Sequence, residues 1–555
     1  MKVISACLLL ALIGLAASSP LFHYKETQES DTTLNNYGIN TKCIACSMGL
    51  DLLIHYLALH PEPVDTFIEN KLCKLFPEEL IQDTCIEFVK IYGDTLISGL
   101  MKKLSSDDIC AGVGLCAGNQ CRLRPKEYSY PQLTFSFEGY WKYRGPFVKP
   151  KFDPWQWIQD LIQKVASKHL PLFDLDGDNF SDIAWLRGSS WRGKDCNDNN
   201  ANIYPGRKVN PVDGSDADYN CNGISGTDPE TKKPWKEVLC GNYSQMGVAV
   251  VGDSAGAHFS VPQAWVNVSQ WSSKAFSDVL IRLLHELDKP HYSGYTGFLN
   301  STEEDPVRSV YKNLVERNRC NHRDFQNIAV NGGRASNTQD NIKAFSRNQT
   351  FDHPTLVFLE LIGNDVCNRL TDPAEFKQGI LSLLDYLDTT LPKGSHVVMI
   401  GLVNGSLLYD QLHNETHPIG INYAQLYDFL QCQNSNPCKN WLTSNDTQRH
   451  ATTAHAFKLN DQYKAIIQEG RVYKNFDYTY YDFPAFEIME KAKAEGMRLK
   501  DLIEPVDGFH PGQPFHAMLG DWLWETLQKD HPDWLGDANP NNQRIIQMFG
   551  DQGGY

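Results

Sequence analysis

Four apolar residues, Val248-Ala249-Val250-Val251, run without a polar interruption into Gly252-Asp253-Ser254. A short run of this kind suits a strand buried on both faces, as in parallel sheets covered by helices. The small residues that follow, Ala255-Gly256-Ala257, allow a tight strand-to-helix turn. Ser254 is therefore expected above the C-terminal edge of the sheet, where open α/β sheets hold their ligands. Further strand candidates lie at Ile328 to Val330, Thr355 to Ile362 and His396 to Val403, with stretches between them long enough for crossover helices. The pattern predicts a three-layer α/β domain over residues 240–545.

The ends of these segments carry polar residues in a telling order: Asn331-Gly332-Gly333, then Gly363-Asn364-Asp365, then Val506-Asp507-Gly508-Phe509-His510-Pro511 near the C-terminus. Gly-Asp-Ser, a later glycine, Gly-Asn-Asp and Asp-x-x-His in this sequence resemble the GDSL/SGNH hydrolases. The resemblance implies Ser254 as nucleophile, His510 as general base and then acid, and Asp507 as the group that orients His510. It also implies an oxyanion hole from the N–H of Ser254, the N–H of Gly333 in preference to Gly332, and the side-chain amide of Asn364. Each role answers a chemical need: serine is a weak nucleophile without a base, the base must be held in one tautomer, and the developing oxyanion needs preorganised donors.

Ser254 also satisfies Gly-x-Ser-x-Gly through Gly252 and Gly256, so an α/β-hydrolase is the rival fold. That fold places its acid and histidine on separate loops, whereas Asp507 and His510 are three residues apart, and it leaves Asn364 without a task. Asp253 is read as fixing the turn and His258 as lying on the following helix. His285-Glu286 lacks a second histidine four residues after the first, which argues against a zinc peptidase site.

With 555 residues the chain exceeds the size at which single cores stop growing, so more than one domain is expected. Met1 and Lys2, the apolar run Val3 to Leu15, and Ala16-Ala17-Ser18 form a secretory signal over residues 1–18. Removing Cys7 with it leaves an even number of the 15 cysteines for an oxidising compartment. Asn-x-Ser/Thr acceptors at Asn179, Asn242, Asn267, Asn348, Asn404, Asn414 and Asn445 point the same way. The expected location is secreted or a lysosomal or other vesicle lumen, with no transmembrane anchor. A nucleic-acid partner requires a basic face, which neither the formal charge of −16 nor the local charge pattern supplies.

Residues 19–38 are polar and aperiodic, as in a propeptide. Residues 39–120 carry Cys43, Cys46, Cys73, Cys85, Cys110 and Cys116, with helix-like apolar stretches between them. A helical unit this small needs covalent staples. The cysteine spacing and amphipathic stretches resemble the saposin B family, which implies the nested pairs Cys43–Cys116, Cys46–Cys110 and Cys73–Cys85 and a lipid-binding role. Spacing alone allows fifteen pairings of six cysteines.

Residues 121–165 read as a linker with basic processing sites at Arg122, Arg124, Lys126, Lys149 and Lys151. A processing protease cutting there leaves a small and a large fragment, joined only if Cys121 meets one of Cys240, Cys320, Cys367, Cys432 or Cys438. Cys432 and Cys438 are close enough to pair with each other, and either can reach Cys121; the reading leans to Cys432.

Residues 166–230 are acidic. Asp174, Asp176 and Asp178, followed by Asp182, set hard oxygen ligands on a turn containing Gly177, as calcium requires. The stretch is no EF-hand, because Asn179 stands at the sixth position and Trp185 at the twelfth. Asp195, Asn197, Asn199, Asp213, Asp216, Asp218, Asn220 and Asn222 extend the ligand set, in a run that resembles the calcium-binding repeats of extracellular proteins. Cys196 and Cys221 bracket it and are expected to pair. One or more structural Ca2+ ions are expected.

A saposin-like domain, an acidic calcium segment and a GDSL-type domain in one secreted chain resemble the acyloxyacyl hydrolase family. The resemblance implies release of secondary fatty acyl chains from the lipid A part of bacterial lipopolysaccharide, and proteolytic conversion to disulfide-linked subunits. The alternatives are a general phospholipase or acylglycerol esterase with the same triad, and a lipid-binding protein whose triad is inert.

Overall fold

The computed structural model describes residues 41–60, 62–64, 67, 71–76, 82, 93, 96–135, 169–209, 213–214, 217–302 and 305–555. The expected signal and propeptide, Cys85, Lys149, Lys151 and Asp216 lie outside the described residues.

Helices α1 (Thr41–Ala58) and α2 (Ser106–Gly112) head the chain. Ser105 caps α2 by accepting the Asp108 N–H, which satisfies one of the orphan donors of its first turn. Disulfide Cys46–Cys110 staples the two helices, and Cys43–Cys116 ties α1 to the turn just past α2. Cys73 is also disulfide-bonded. Helix α1 is buried nearly all round, with Ile44, Leu50, Leu53 and Leu57 in the core, while Leu59 is exposed. An all-round apolar helix needs partners on more than one side. It finds α2 on one side and the larger domain on another, where Tyr56 packs 4.7 Å from Trp271.

Residues 121–135 correct the expectation of a free linker. Arg124 is buried and forks onto both carboxylate oxygens of Asp51 in α1, at 3.0 and 2.8 Å, while donating to the carbonyls of Ile419 and Gly420. Arg122 pairs with Asp108 at 2.8 Å, and the Val64 N–H donates to Thr134 O. The segment fails as a linker because Arg122 and Arg124 are spent on half-buried Asp108 and buried Asp51, whereas Lys126 is exposed. Asp51 has no exposure, so removing its partner leaves a buried charge, at a cost of about 3–5 kcal/mol. Cys121 is bonded to Cys432, which fixes the helical unit to the larger domain a second time.

That domain is built on five parallel strands among the described residues: β1 (Gly247–Gly252), β2 (Phe325–Asn327), β3 (Thr355–Glu360), β4 (Ser395–Ile400) and β5 (Phe476–Tyr481), in the order β2-β1-β3-β4-β5. Helices α3 (Ser254–Ala257), α4 (Asn364–Cys367), α5 (Pro373–Thr390), α6 (Ser406–Leu412), α7 (Tyr423–Cys432), α8 (Asp446–Glu469), α9 (Ala485–Ala494) and α10 (Gln513–Asp530) lie among them. Strand alternation makes two cores. Ala249, Val251, Val357, Leu359, Val397 and Met399 face α5 and α8, while Val248, Val250, Leu356, Phe358, Val398 and Ile400 face α9 and α10. The three layers follow from strands apolar on both faces.

Strand β2 sits three residues before the predicted Ile328 to Val330. Those residues still run beside β1, with Ile328 N donating to Val250 O and Val330 N to Gly252 O. Strand β5 escaped the sequence reading because Phe476-Asp477-Tyr478-Thr479-Tyr480-Tyr481 is a half-exposed edge without an apolar run. With β2 on one side of β1 and β3 on the other, the chain reverses its winding at β1. Ligands of open parallel sheets bind at such a switch point, beyond the strand ends.

Candidate active site

Ser254 stands just past the C-terminal end of β1. Gly252 is required there, because a Cβ on it would lie 2.3 Å from the Glu360 carbonyl oxygen. Asp253 caps α3: one carboxylate oxygen accepts the Ala255 N–H at 2.9 Å and the other the Ile362 N–H at 3.1 Å. Burial pushes its carboxyl up to about 6, against the pull of those N–H groups, the His510 charge and the Asn364 amide. Asp253 thus fixes the turn and ties the ends of β1 and β3 together. His258 does not lie on the helix. It ends α3 in the left-handed region at φ 60°, stacks on His516 at 3.9 Å, and hydrogen-bonds Gln513 through Nε2 at 2.7 Å.

The loop from Val506 to His510 brings His510 to Ser254 at the cleft. His510 Nδ1 lies 2.5 Å from an Asp507 carboxylate oxygen, and Nε2 lies 2.7 Å from Ser254 Oγ. A carboxylate can only accept, so the ring proton belongs on Nδ1 and the Nε2 lone pair faces the serine hydroxyl. All three side chains are at most 6% exposed. The Asp507 oxygen that does not face the ring accepts the N–H groups of Phe509 and His510, at 2.8 and 3.1 Å. Gly508 takes φ +61° beneath Tyr427, whose hydroxyl donates to its carbonyl at 2.8 Å. The Tyr423 hydroxyl holds Pro505 O. Both tyrosines belong to α7, the helix that ends at the Cys121–Cys432 bond.

Asn364 begins α4 after β3 and lines the cleft with Ser254. Gly333 departs from its expected place as an oxyanion donor. Its N–H is spent on Val330 O at 2.9 Å, within its own turn. What requires a glycine there is packing, since a Cβ would lie 2.7 Å from Gly252 O.

Above the serine opens a cleft with an empty volume of about 800 Å³, walled mainly by apolar side chains that include Ile362, Leu408, Trp441, Phe483, Met489 and Ile503. None of these walls was identified from the sequence, because they come from segments spread between residues 362 and 515. Asn404 also lines the cleft, and its side-chain oxygen accepts from Ser406 Oγ at 2.6 Å and Thr453 Oγ1 at 3.0 Å. Asn404 is half-buried at this cleft wall. Asn242, Asn348, Asn414 and Asn445 are exposed, whereas Asn179 and Asn267 are half-buried.

In the acidic segment, Asp174, Asp176 and Asp198 bring their carboxylates together, as do Asp176, Asp178 and Asp195. Asp198 was missed, although it shares the turn of Asp195 and Asn197. Buried oxygens of Asp176, Asp178 and Asp195 have no hydrogen-bond partner, and burial with neighbouring charge raises Asp178 to about 8 and Asp195 to about 6. A bound cation satisfies all of these atoms, so the donor set fits a metal ion. Several expected ligands fall elsewhere. Asp213 pairs with Arg207 at 2.7 Å. Asp218 faces Lys236 and accepts the Gly223 N–H. Asn222 uses its side chain on Ile224 N and Cys320 O. Asp182, Asn197 and Asn199 are exposed, and Asn220 is buried with a free side-chain oxygen. Cys196 is bonded to Cys221, and Cys240–Cys320 and Cys367–Cys438 complete the pairs among the described residues.

Residues 248–523 match the GDSL-like Lipase/Acylhydrolase family, and residues 83–116 match the Saposin-like type B, region 2 family. Over 539 residues the chain is 36% identical to an acyloxyacyl hydrolase of Oryctolagus cuniculus, covering 92% of this chain and 93% of that protein. It is 35% identical to the acyloxyacyl hydrolases of Mus musculus and Homo sapiens, over 100% of this chain and 99% of each. The chain belongs to the acyloxyacyl hydrolase family. As a member of that family it is an ester hydrolase, with a small saposin-like helical domain and an α/β domain of GDSL type. Among the described residues no helix is long and apolar enough to cross a membrane.

Proposed function

We propose that this acyloxyacyl hydrolase family member cuts the secondary acyloxyacyl esters of lipid A in bacterial lipopolysaccharide, with Ser254 as nucleophile. The observation that carries this reading is the His510 bridge between Ser254 and Asp507 at the head of an apolar cleft, in a chain alike from end to end to acyloxyacyl hydrolases.

His510 takes the hydroxyl proton as Ser254 attacks the ester carbonyl, and Asp507 stabilises the resulting imidazolium. The Ser254 N–H and the Asn364 amide are the donors for the oxyanion; Gly333 can join only if its turn bond opens. His510 then returns the proton to the departing hydroxyacyl oxygen, and water releases the fatty acid from the acyl enzyme by the reverse proton path. The cleft holds the chain being cut, and the saposin-like domain presents the aggregated lipid.

The acidic cluster is assigned to a structural Ca2+ ion, held by Asp174, Asp176, Asp178, Asp195 and Asp198, since all-oxygen carboxylate donors suit a hard cation. The seven disulfide-bonded cysteines of the larger domain and exposed Asn242, Asn348, Asn414 and Asn445 support a secreted or lysosomal glycoprotein. Processing is assigned to the stretch after residue 135, with Cys121–Cys432 retaining the small subunit.

The test compares fatty acids released from lipopolysaccharide and from phospholipid vesicles by one preparation, with mass analysis of the products. Loss of only the secondary chains from lipid A is expected; activity confined to phospholipid overturns the assignment.

A further inference from the structure

Behind the Asp507 turn lies a second carboxyl group that the mechanism leaves without a task. Glu504 is 2% exposed. One of its carboxyl oxygens accepts the N–H groups of Val506 and Asp507, at 2.9 and 2.8 Å. The other accepts the Val261 N–H at 3.4 Å, two residues beyond Phe259, whose ring packs 4.7 Å from His510. The backbone closes the same loop: Glu504 N–H donates to His510 O at 2.8 Å, and Gly508 N–H donates to Glu504 O at 3.0 Å. One buried side chain therefore gathers the backbone of Asp507 and the segment packed on the histidine.

We propose that Glu504 is a positioning residue of the hydrolase, holding the Asp507 backbone where its carboxylate meets His510 Nδ1. The inference rests on the Ser254–His510–Asp507 reading. The part that matters is the length of the side chain, because its oxygen must reach two N–H groups at once. Charge is secondary. Burial, and then the neighbouring Asp507, hold the Glu504 carboxyl well above the usual carboxylate range, with Lys289 pulling the other way and Tyr423 facing it from α7. The neutral form still accepts both N–H groups through one oxygen.

The test uses the full-length chain as parent, E504D, E504Q, D507N and E504D/D507N, with S254A as a blank. Hydrolysis of p-nitrophenyl butyrate and of lipopolysaccharide is followed across pH, and folding by circular dichroism. E504D keeps the charge but withdraws the oxygen by one carbon. It is expected to lose at least tenfold in kcat with KM within twofold, and to move the acid limb of the kcat/KM profile to lower pH as the imidazolium loses its support. E504Q keeps the reach and the oxygen that accepts from Val506 and Asp507, giving up only the long 3.4 Å bond from Val261, and is expected to restore kcat to at least a third of the parent. In the D507N background E504D is expected to cost less than twofold, because the group it positions is gone. The proposal is overturned if E504D costs as much in the D507N background as in the parent, if its effect is on KM alone, or if E504Q falls as far as E504D. Should E504D fail to fold, the E504Q result decides alone: a loss of tenfold or more in a folded E504Q overturns it. A parent that is active while S254A is not keeps the triad reading standing whichever way Glu504 falls.

Discussion

Gly333 lies so close beneath Gly252 that a Cβ on it would stand 2.7 Å from the Gly252 carbonyl oxygen. The contact locks the turn after β2 under the loop that carries Ser254. Gly333→Ala must push that loop upward, and a displacement near 1 Å at a reacting group costs on the order of 10²-fold. The expected outcome is a fall in kcat of that size with a folded protein and little change in KM. Steady-state kinetics with a soluble ester and with lipopolysaccharide check it; an unchanged kcat contradicts the contact's role.

A pH effect on stability follows from His516, which burial, and then the nearby His510, hold down to about 3. Its folded value lies below the ordinary 6.5, so the folded state binds the proton less tightly than the unfolded chain. The stabilisation is complete above about 6.5 and is lost as pH falls towards 3. His516 accepts the Gly294 N–H through Nδ1, a role an asparagine oxygen can fill. His516→Asn is therefore expected to lower Tm at pH 7 through lost stacking on His258, yet to lose less Tm than the parent between pH 7 and pH 4.5. Thermal melts at the two pH values read this directly, and an equal or steeper loss in the variant contradicts it.

Removing the cation proposed for the acidic cluster is expected to act on stability rather than chemistry. The partnerless oxygens of Asp176, Asp178 and Asp195 are buried, and without a counter-ion these carboxyls must either repel as anions or take up protons. Chelation is expected to lower Tm, and re-addition of Ca2+ to restore both Tm and full activity. Below the melting temperature, kcat in the chelated protein is expected within twofold of the untreated enzyme. A large loss of kcat with unchanged Tm would place the ion in the chemistry instead.

Legibility in the sequence tracked how local each signal was. Val248 to Ser254 could be read because a buried strand and a tight turn are both written in consecutive residues. Asp507 and His510 share one turn, so the Asp-x-x-His pattern through which the resemblance implies their pairing lies in four consecutive residues. The cleft was hidden because Ile362, Trp441 and Ile503 come together only through strand order and helix packing. Arg124 read as an exposed basic site for the same reason: its partner Asp51 is 73 residues away. The Gly333 N–H shows a subtler limit. A family pattern names the residue, but whether its donor is free depends on a turn bond to Val330 that no motif encodes.

The role proposed for Ser254, 2.7 Å from His510 Nε2, is that of the nucleophile that releases fatty acid from lipopolysaccharide. Its most direct test is fatty-acid release by Ser254→Ala, measured by mass analysis beside the parent enzyme at equal lipid binding. A fall on the order of 10⁶-fold is expected, to the level of the background, with fold and lipid binding retained. Release at the parent rate would contradict it.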